Sequence, residues 1–269
     1  MQPLHRTINR IEKAVYDKGI NVALYNAEHS KTYTSFQDQL ERALYHQIKT
    51  VAEAKTVDHL LLLTKGIDPA LIVAIGTALS KELLAGLVSL GTYLIWAGQQ
   101  GGQAFFDKTG IEVSFVLKNQ ELVNYFDDHS KLIINSVDNY TKKWIAQQIQ
   151  SGKDKMLSPA EIVQSLLDEG KGISKIRAER IVLTETARAM TVVENEVARR
   201  YGIEEIIWHT SVDERVCPIC LPLEGEKVRI NQLFSVGVEG PPAHVSCRCF
   251  TEQVIPVSWD LPANGWTGE

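Results

Sequence analysis

What the chain lacks narrows its class before any motif is weighed. It has no cysteine outside two short stretches: all four lie in "RVCPIC" (215–220) and "HVSCRC" (244–249) of a 269-residue sequence. Its opening, "MQPLHRTINRIEKAVYDKGI", holds no uninterrupted apolar run of the kind a secretory signal requires. A reducing cytosol is therefore expected, where disulfide frameworks are disfavoured and clustered thiols serve as metal ligands or catalytic groups. There is no excess of Lys and Arg either. The formal net charge of -5 argues against a dedicated nucleic-acid binder, because counterion release needs concentrated positive charge. A phosphate-binding glycine loop and a paired-carboxylate signature are both missing. With 44% hydrophobic and 23% charged residues, disorder and collagen-like repeats are excluded as well.

A membrane span is also lacking. The most apolar stretch, "PALIVAIGTALSKELLAGLVSLGTYLIWAG", is interrupted by Lys81 and Glu82, which leaves runs shorter than the roughly 20 residues needed to cross a bilayer. No membrane partner is expected. The stretch reads instead as a buried helical hairpin, with Ala85, Gly86 and Gly91 allowing close packing, or as a docking surface within residues 36–107 for self-association or for another protein.

What is present is mostly helical periodicity. Phe36, Leu40, Leu44, Ile48 and Val51 form an apolar stripe at spacings of three and four. Asp68 and Pro69 suit a helix start. Leu122, Phe126, Ile133, Val137 and Trp144 mark another helix, closed by Gly152. "SPAEIVQSLLDEG" supplies Ser158 as N-cap, Pro159 as first helical residue and Glu161 as capping-box partner, with Gly170 as the stop. A longer helix then places Ile176, Leu183, Met190 and Val197 at heptad spacing and ends at Gly202. Beyond it the texture changes. "EEIIWHTS" reads as a strand, "LEGEKVRI" as a turn at Gly225 and a second strand, and the tail "IPVSWDLPANGWTGE" as one short strand and loose chain. The expected fold is mostly α, with a helical N-terminal region (1–157), a small α+β module (158–255) and a loose tail (256–269).

The two thiol patches carry the chemistry. Cys217 and Cys220 form a Cys-x-x-Cys knuckle that lets two thiolates grip one ion from a tight turn stiffened by Pro218. Cys247 and Cys249 share a face if their segment is extended, and His244 lies one short turn upstream. That makes five donors for four positions, and structural zinc suits this soft set. Cys247 and Cys249 are favoured over His244, which could instead hydrogen-bond a ligand sulfur. A thioredoxin-like dithiol is disfavoured, since Pro222 and Gly225 preclude the helix that would depress a thiol pKa. Small, buried, unliganded thiols are the remaining reading. His209 has no accompanying nucleophile. Glu185, with Arg188 one helical turn on and Thr184 and Thr186 flanking, is assigned to anchoring the long helix to the Cys-rich module. Asp213 is assigned to an Asx-type turn leading into the knuckle.

The order "RAERIVLTETARAM", "YGIEEIIWHTSVDERVCPICLPLEGEKV", "GPPAHVSCRC" resembles the head morphogenesis family typified by protein F of phage Mu. The matching features fall on Arg180, Thr184, Glu185, Trp208, Asp213, Arg215, Cys217, Cys220, Leu223, Gly225, Pro242, His244, Cys247, Arg248 and Cys249. The resemblance implies a non-enzymatic minor capsid component of a tailed bacteriophage or prophage. It implies association with the portal protein during procapsid assembly in the host cytoplasm, a place inside the virion head, and in some members contact with packaged double-stranded DNA. The competing class is a metal- or thiol-dependent enzyme, a nuclease or Cys-x-x-Cys oxidoreductase.

Overall fold

The computed structural model describes residues 22–53, 90–211 and 216–256. The proposed hairpin positions Ala85 and Gly86, the helix start at Asp68 and Pro69, and residues 257–269 lie outside the described residues. Among the described residues, five helices precede a small sheet: α1 (Val22–Glu28), α2 (Lys31–Glu53), α3 (helical residues 90–109), α4 (Gln120–Asp154) and α5 (Pro159–Arg200). Strands β1 (Glu205–His209), β2 (Lys227–Arg229) and β3 (Phe250–Gln253) follow. The mostly α fold with a small α+β end is as the residue pattern predicts. A third strand lies at Phe250–Gln253, and most of the tail in which a short strand is expected lies outside the described residues.

The described residues fall into two compact units. One draws on residues within 1–34, 93–126 and 180–269, the other on residues within 35–92 and 127–179. In the second, Ile48 and Ala52 of α2 pack with Trp144, Ile145 and Ile149 of α4 and Leu166 of α5. Phe36, Leu40, Leu44 and Ile48 are all buried, so the stripe is a core face.

Ser158 caps α5 as expected. Its hydroxyl accepts from the Glu161 N–H at 3.3 Å, and its own N–H donates to Glu161 Oε2 at 2.7 Å. Gly170 does not stop the helix, which runs on to Arg200. A Cβ at Gly170 would stand 2.7 Å from Ile48 Cγ2, so the glycine permits close packing rather than termination. Gly152 behaves in the same way: a Cβ there would come within 2.6 Å of Ile162 Cγ1, and α4 ends at Asp154. Gly202 does terminate α5. At φ +79 it allows a Schellman closure in which the Ile203 N–H reaches the Ala198 carbonyl and the Gly202 N–H reaches Arg199.

In the first unit, Leu24 and Ala27 of α1 pack on Ala187 and Met190 of α5. Phe105 and Phe106 of α3 meet Tyr201 with ring centroids 5.5 and 5.4 Å apart. Gly101 lies so close to the Met190 backbone that a Cβ would sit 2.2 Å from its carbonyl oxygen. Leu90, Tyr93, Leu94 and Ala97 are buried, so the described end of the apolar stretch is used inside the chain. Of the heptad positions, Met190 and Val197 are buried but Ile176 is exposed, so the seam is shorter than its repeat.

The sheet order is β2-β1-β3, antiparallel throughout, with Ile206 opposite Val228 and His209 opposite Phe250. Alternation along β1 buries Ile206 and Trp208. Trp208 meets the Phe234 ring edge-on at 5.0 Å. This small core holds the chain on which both thiol patches are carried.

Candidate metal centre

The first patch is set by β1. The Gly225 N–H donates to the Trp208 carbonyl at 2.9 Å and the Trp208 N–H to that of Glu226 at 2.8 Å, pinning the far side of the knuckle to the strand. Gly225, at φ +77, makes the turn that the sequence predicts. Within the knuckle the Leu221 N–H donates to the Cys217 carbonyl at 3.0 Å, and the Cys220 N–H approaches Cys217 Sγ at 3.3 Å. Only a single 3-10 turn, Leu221–Leu223, follows. The helix that a thioredoxin-like dithiol would need is thus replaced by that one turn.

The second patch is held to α5. Ser246 adopts a left-handed conformation, φ +60, and its N–H donates to Thr184 Oγ1 at 2.9 Å. Thr184 in turn donates to the Arg180 carbonyl at 2.6 Å. Of the assigned anchor residues, Thr184 makes a hydrogen bond to the module. Glu185 pairs with Arg188 at 3.3 Å along the helix. Thr186 faces elsewhere: it donates to the Val182 carbonyl and receives the Tyr93 hydroxyl at 2.6 Å. Asp213 and Arg215 lie outside the described residues.

Fold and turns bring all five sequence-nominated donors together. Cys217, Cys220 and His244 form one group and Cys220, Cys247 and Cys249 another, each with its ligand atoms within 4.8 Å of one another. Cys220 belongs to both. Its sulfur lies 3.8 Å from that of Cys247. His244 Nε2 stands 2.9 Å from Cys217 Sγ and 3.2 Å from Cys220 Sγ, while Nδ1 donates to the Val245 carbonyl at 2.8 Å. All four cysteines are free thiols; Cys220, Cys247 and Cys249 are buried and Cys217 partly so.

The electrostatics are those of thiols crowded together. The Cys249 thiol bonded to Cys247 holds the latter down to about 5 against the effect of burial, helped by the backbone N–H groups of Cys249 and Ala243. Burial and the Cys247 sulfur push Cys220 up to about 12. Cys249 is raised too, by its bond to Cys247 and by burial. Burial would raise Cys217, but the Cys220 N–H and thiol outweigh it and lower the group. A cluster that must hold several sulfurs this close is suited to a cation that neutralises them. Its geometry fits one: a tetrahedral site with metal–sulfur bonds of ~2.3 Å has sulfur–sulfur edges of about 3.8 Å, matching the Cys220–Cys247 separation. These residues could hold a metal ion.

His209 was passed over by sequence reasoning, and the structure gives it partners. Nδ1 lies 3.0 Å from Glu224 Oε1 and Nε2 2.7 Å from Glu252 Oε2. Glu224 also accepts from the Thr210 N–H and hydroxyl at 2.6 Å. The bond to Glu252 raises the His209 pKa against burial, with Glu224 adding to the rise. The clasp joins β1 to the chain four residues after Cys220 and three residues after Cys249. Only the β1–β3 register, which pairs His209 with Phe250, brings Glu252 within reach.

Among the described residues no helix is long and apolar enough to cross a membrane. Comparison with family descriptions matches residues 140–252 to the family described as Phage Mu protein F like protein. The match begins within α4 and ends within β3, so it takes in both thiol patches, Thr184 and the His209 clasp. No curated protein and no solved structure matches the chain.

Proposed function

We infer that this chain, whose residues 140–252 match the Phage Mu protein F like family, acts in head morphogenesis of a tailed bacteriophage or prophage, as a minor capsid protein. The carrying observation is that the family match spans the whole Cys/His cluster together with the helix segment that anchors it. In this reading the protein enters the head by association with the portal protein during procapsid assembly. The cluster holds one structural Zn²⁺, for which four thiolates, or three thiolates and an imidazole, are usual ligand sets. Bound there, the ion ties together the chain segments around 217–220 and 244–249. Structural zinc sites contribute about 10–16 kcal/mol of binding free energy, enough to dominate the stability of a module this small. A hydrolytic role is less suited to the site, because a catalytic zinc keeps a position open for water whereas here five donors crowd one another.

Purified procapsids and virions from the phage or prophage that encodes the chain should contain it. The full-length protein should also co-sediment with the portal protein of the same element. Absence from both heads and portal complexes overturns the assignment. Elemental analysis of protein purified under reducing, chelator-free conditions should find one zinc per chain. Nuclease, protease or disulfide-reductase turnover that Cys217→Ser abolishes would move the protein to the enzyme class.

A further inference from the structure

We propose that the four ligands are Cys217, Cys220, His244 and Cys247, with Cys249 retained as a buried, non-coordinating thiol beside them. The proposal rests on the metal reading above and deepens it by selecting four donors from five.

Three observations carry the choice. First, both groups of donors share Cys220, so one ion that uses the whole cluster takes Cys220 and draws the rest from each side. On the knuckle side His244 presents Nε2 to both sulfurs, at 2.9 Å from Cys217 and 3.2 Å from Cys220. Its other nitrogen is committed to the Val245 carbonyl at 2.8 Å. Metal-bound imidazoles are oriented in this way, with the second N–H given to a carbonyl so that the first nitrogen's lone pair faces the ion.

Second, on the far side the sulfur at the expected tetrahedral edge from Cys220 is that of Cys247, at 3.8 Å.

Third, the Cys220 N–H reaches Cys217 Sγ at 3.3 Å, and such a bond stabilises bound thiolate charge. The knuckle, the imidazole and Cys247 fill four positions, and Cys249 is left as the buried thiol beside them.

The test is cobalt substitution of the full-length, reduced protein, with Co²⁺ alone as probe. Wild type is expected to bind one Co²⁺ with thiolate-to-cobalt charge-transfer intensity corresponding to three sulfurs. Cys249→Ser should bind one equivalent with an unchanged spectrum, whereas His244→Ala should lose at least tenfold in affinity and shift its visible bands. Four sulfurs in the wild-type spectrum, or a His244→Ala protein that binds as tightly as wild type, overturns the assignment while leaving the metal reading intact. Wild type that takes up no cobalt and carries no zinc overturns both. The sulfur count in wild type decides the matter even if Cys249→Ser does not fold.

Discussion

Gly170 and Gly172 lie two residues apart in α5, and the same substitution should act on them with opposite sign. Glycine within a helix costs about 1 kcal/mol relative to alanine, so each Gly→Ala change starts with a gain of that size. At Gly172 nothing lies within 4 Å of the added Cβ, and the gain should appear in full. At Gly170 the Cβ would meet Ile48 Cγ2 at 2.7 Å and Cδ1 at 3.2 Å. Ile48 is fully buried, and its β-branched side chain has little rotameric freedom with which to retreat. Overpacking of this kind costs about 1–3 kcal/mol, so Gly170→Ala should come out neutral to destabilised by about 2 kcal/mol. The two variants should therefore differ by about 1–3 kcal/mol, measured as midpoints of urea unfolding followed by circular dichroism on the full-length protein. In an Ile48→Ala background, which removes both Cγ2 and Cδ1, the penalty at Gly170 should vanish, and the double-mutant cycle reads that coupling directly. If Gly170→Ala stabilises as much as Gly172→Ala, the close contact between α5 and α2 is refuted.

Two further outcomes are expected. The His209 clasp should make stability depend on pH: the raised imidazole contributes fully below its ordinary value near 6.5 and loses that contribution as pH rises through its raised value. The depressed carboxylates of Glu224 and Glu252 contribute above about 4.5 and fade as pH falls through their lowered values. The gap in melting temperature between wild type and His209→Gln should be widest between about pH 4.5 and 6.5 and shrink on the alkaline side; a gap that widens toward pH 9 contradicts the clasp. Thr184→Val should strip the Ser246 N–H of its acceptor, cost about 1–3 kcal/mol, and hasten metal release to a chelator, with Thr184→Ser restoring both. Release rates unchanged in Thr184→Val would remove Thr184 from the anchor.

The signals legible in the sequence were those that a residue completes with its near neighbours. The capping box of Ser158 and Glu161, the Schellman end at Gly202, the turn at Gly225 and the Cys217–Cys220 knuckle each close within about one helical turn or less. Their side-chain chemistry therefore determines them before any folding partner arrives. The five metal-donor candidates were legible for the same reason, as two local patches of unusual composition. The tertiary structure decided everything that depends on a residue far along the chain. Gly170 reads as a stop until Ile48, more than a hundred residues earlier, is brought against it. Thr184 and Thr186 look equivalent beside Glu185, yet one meets Ser246 and the other Tyr93. His209 looks solitary until strand register brings Glu252 to its ring. The orientation of His244 toward both knuckle sulfurs likewise spans 24 to 27 residues, a distance over which no local propensity acts and only the packed core around Trp208 and α5 holds the partners in place.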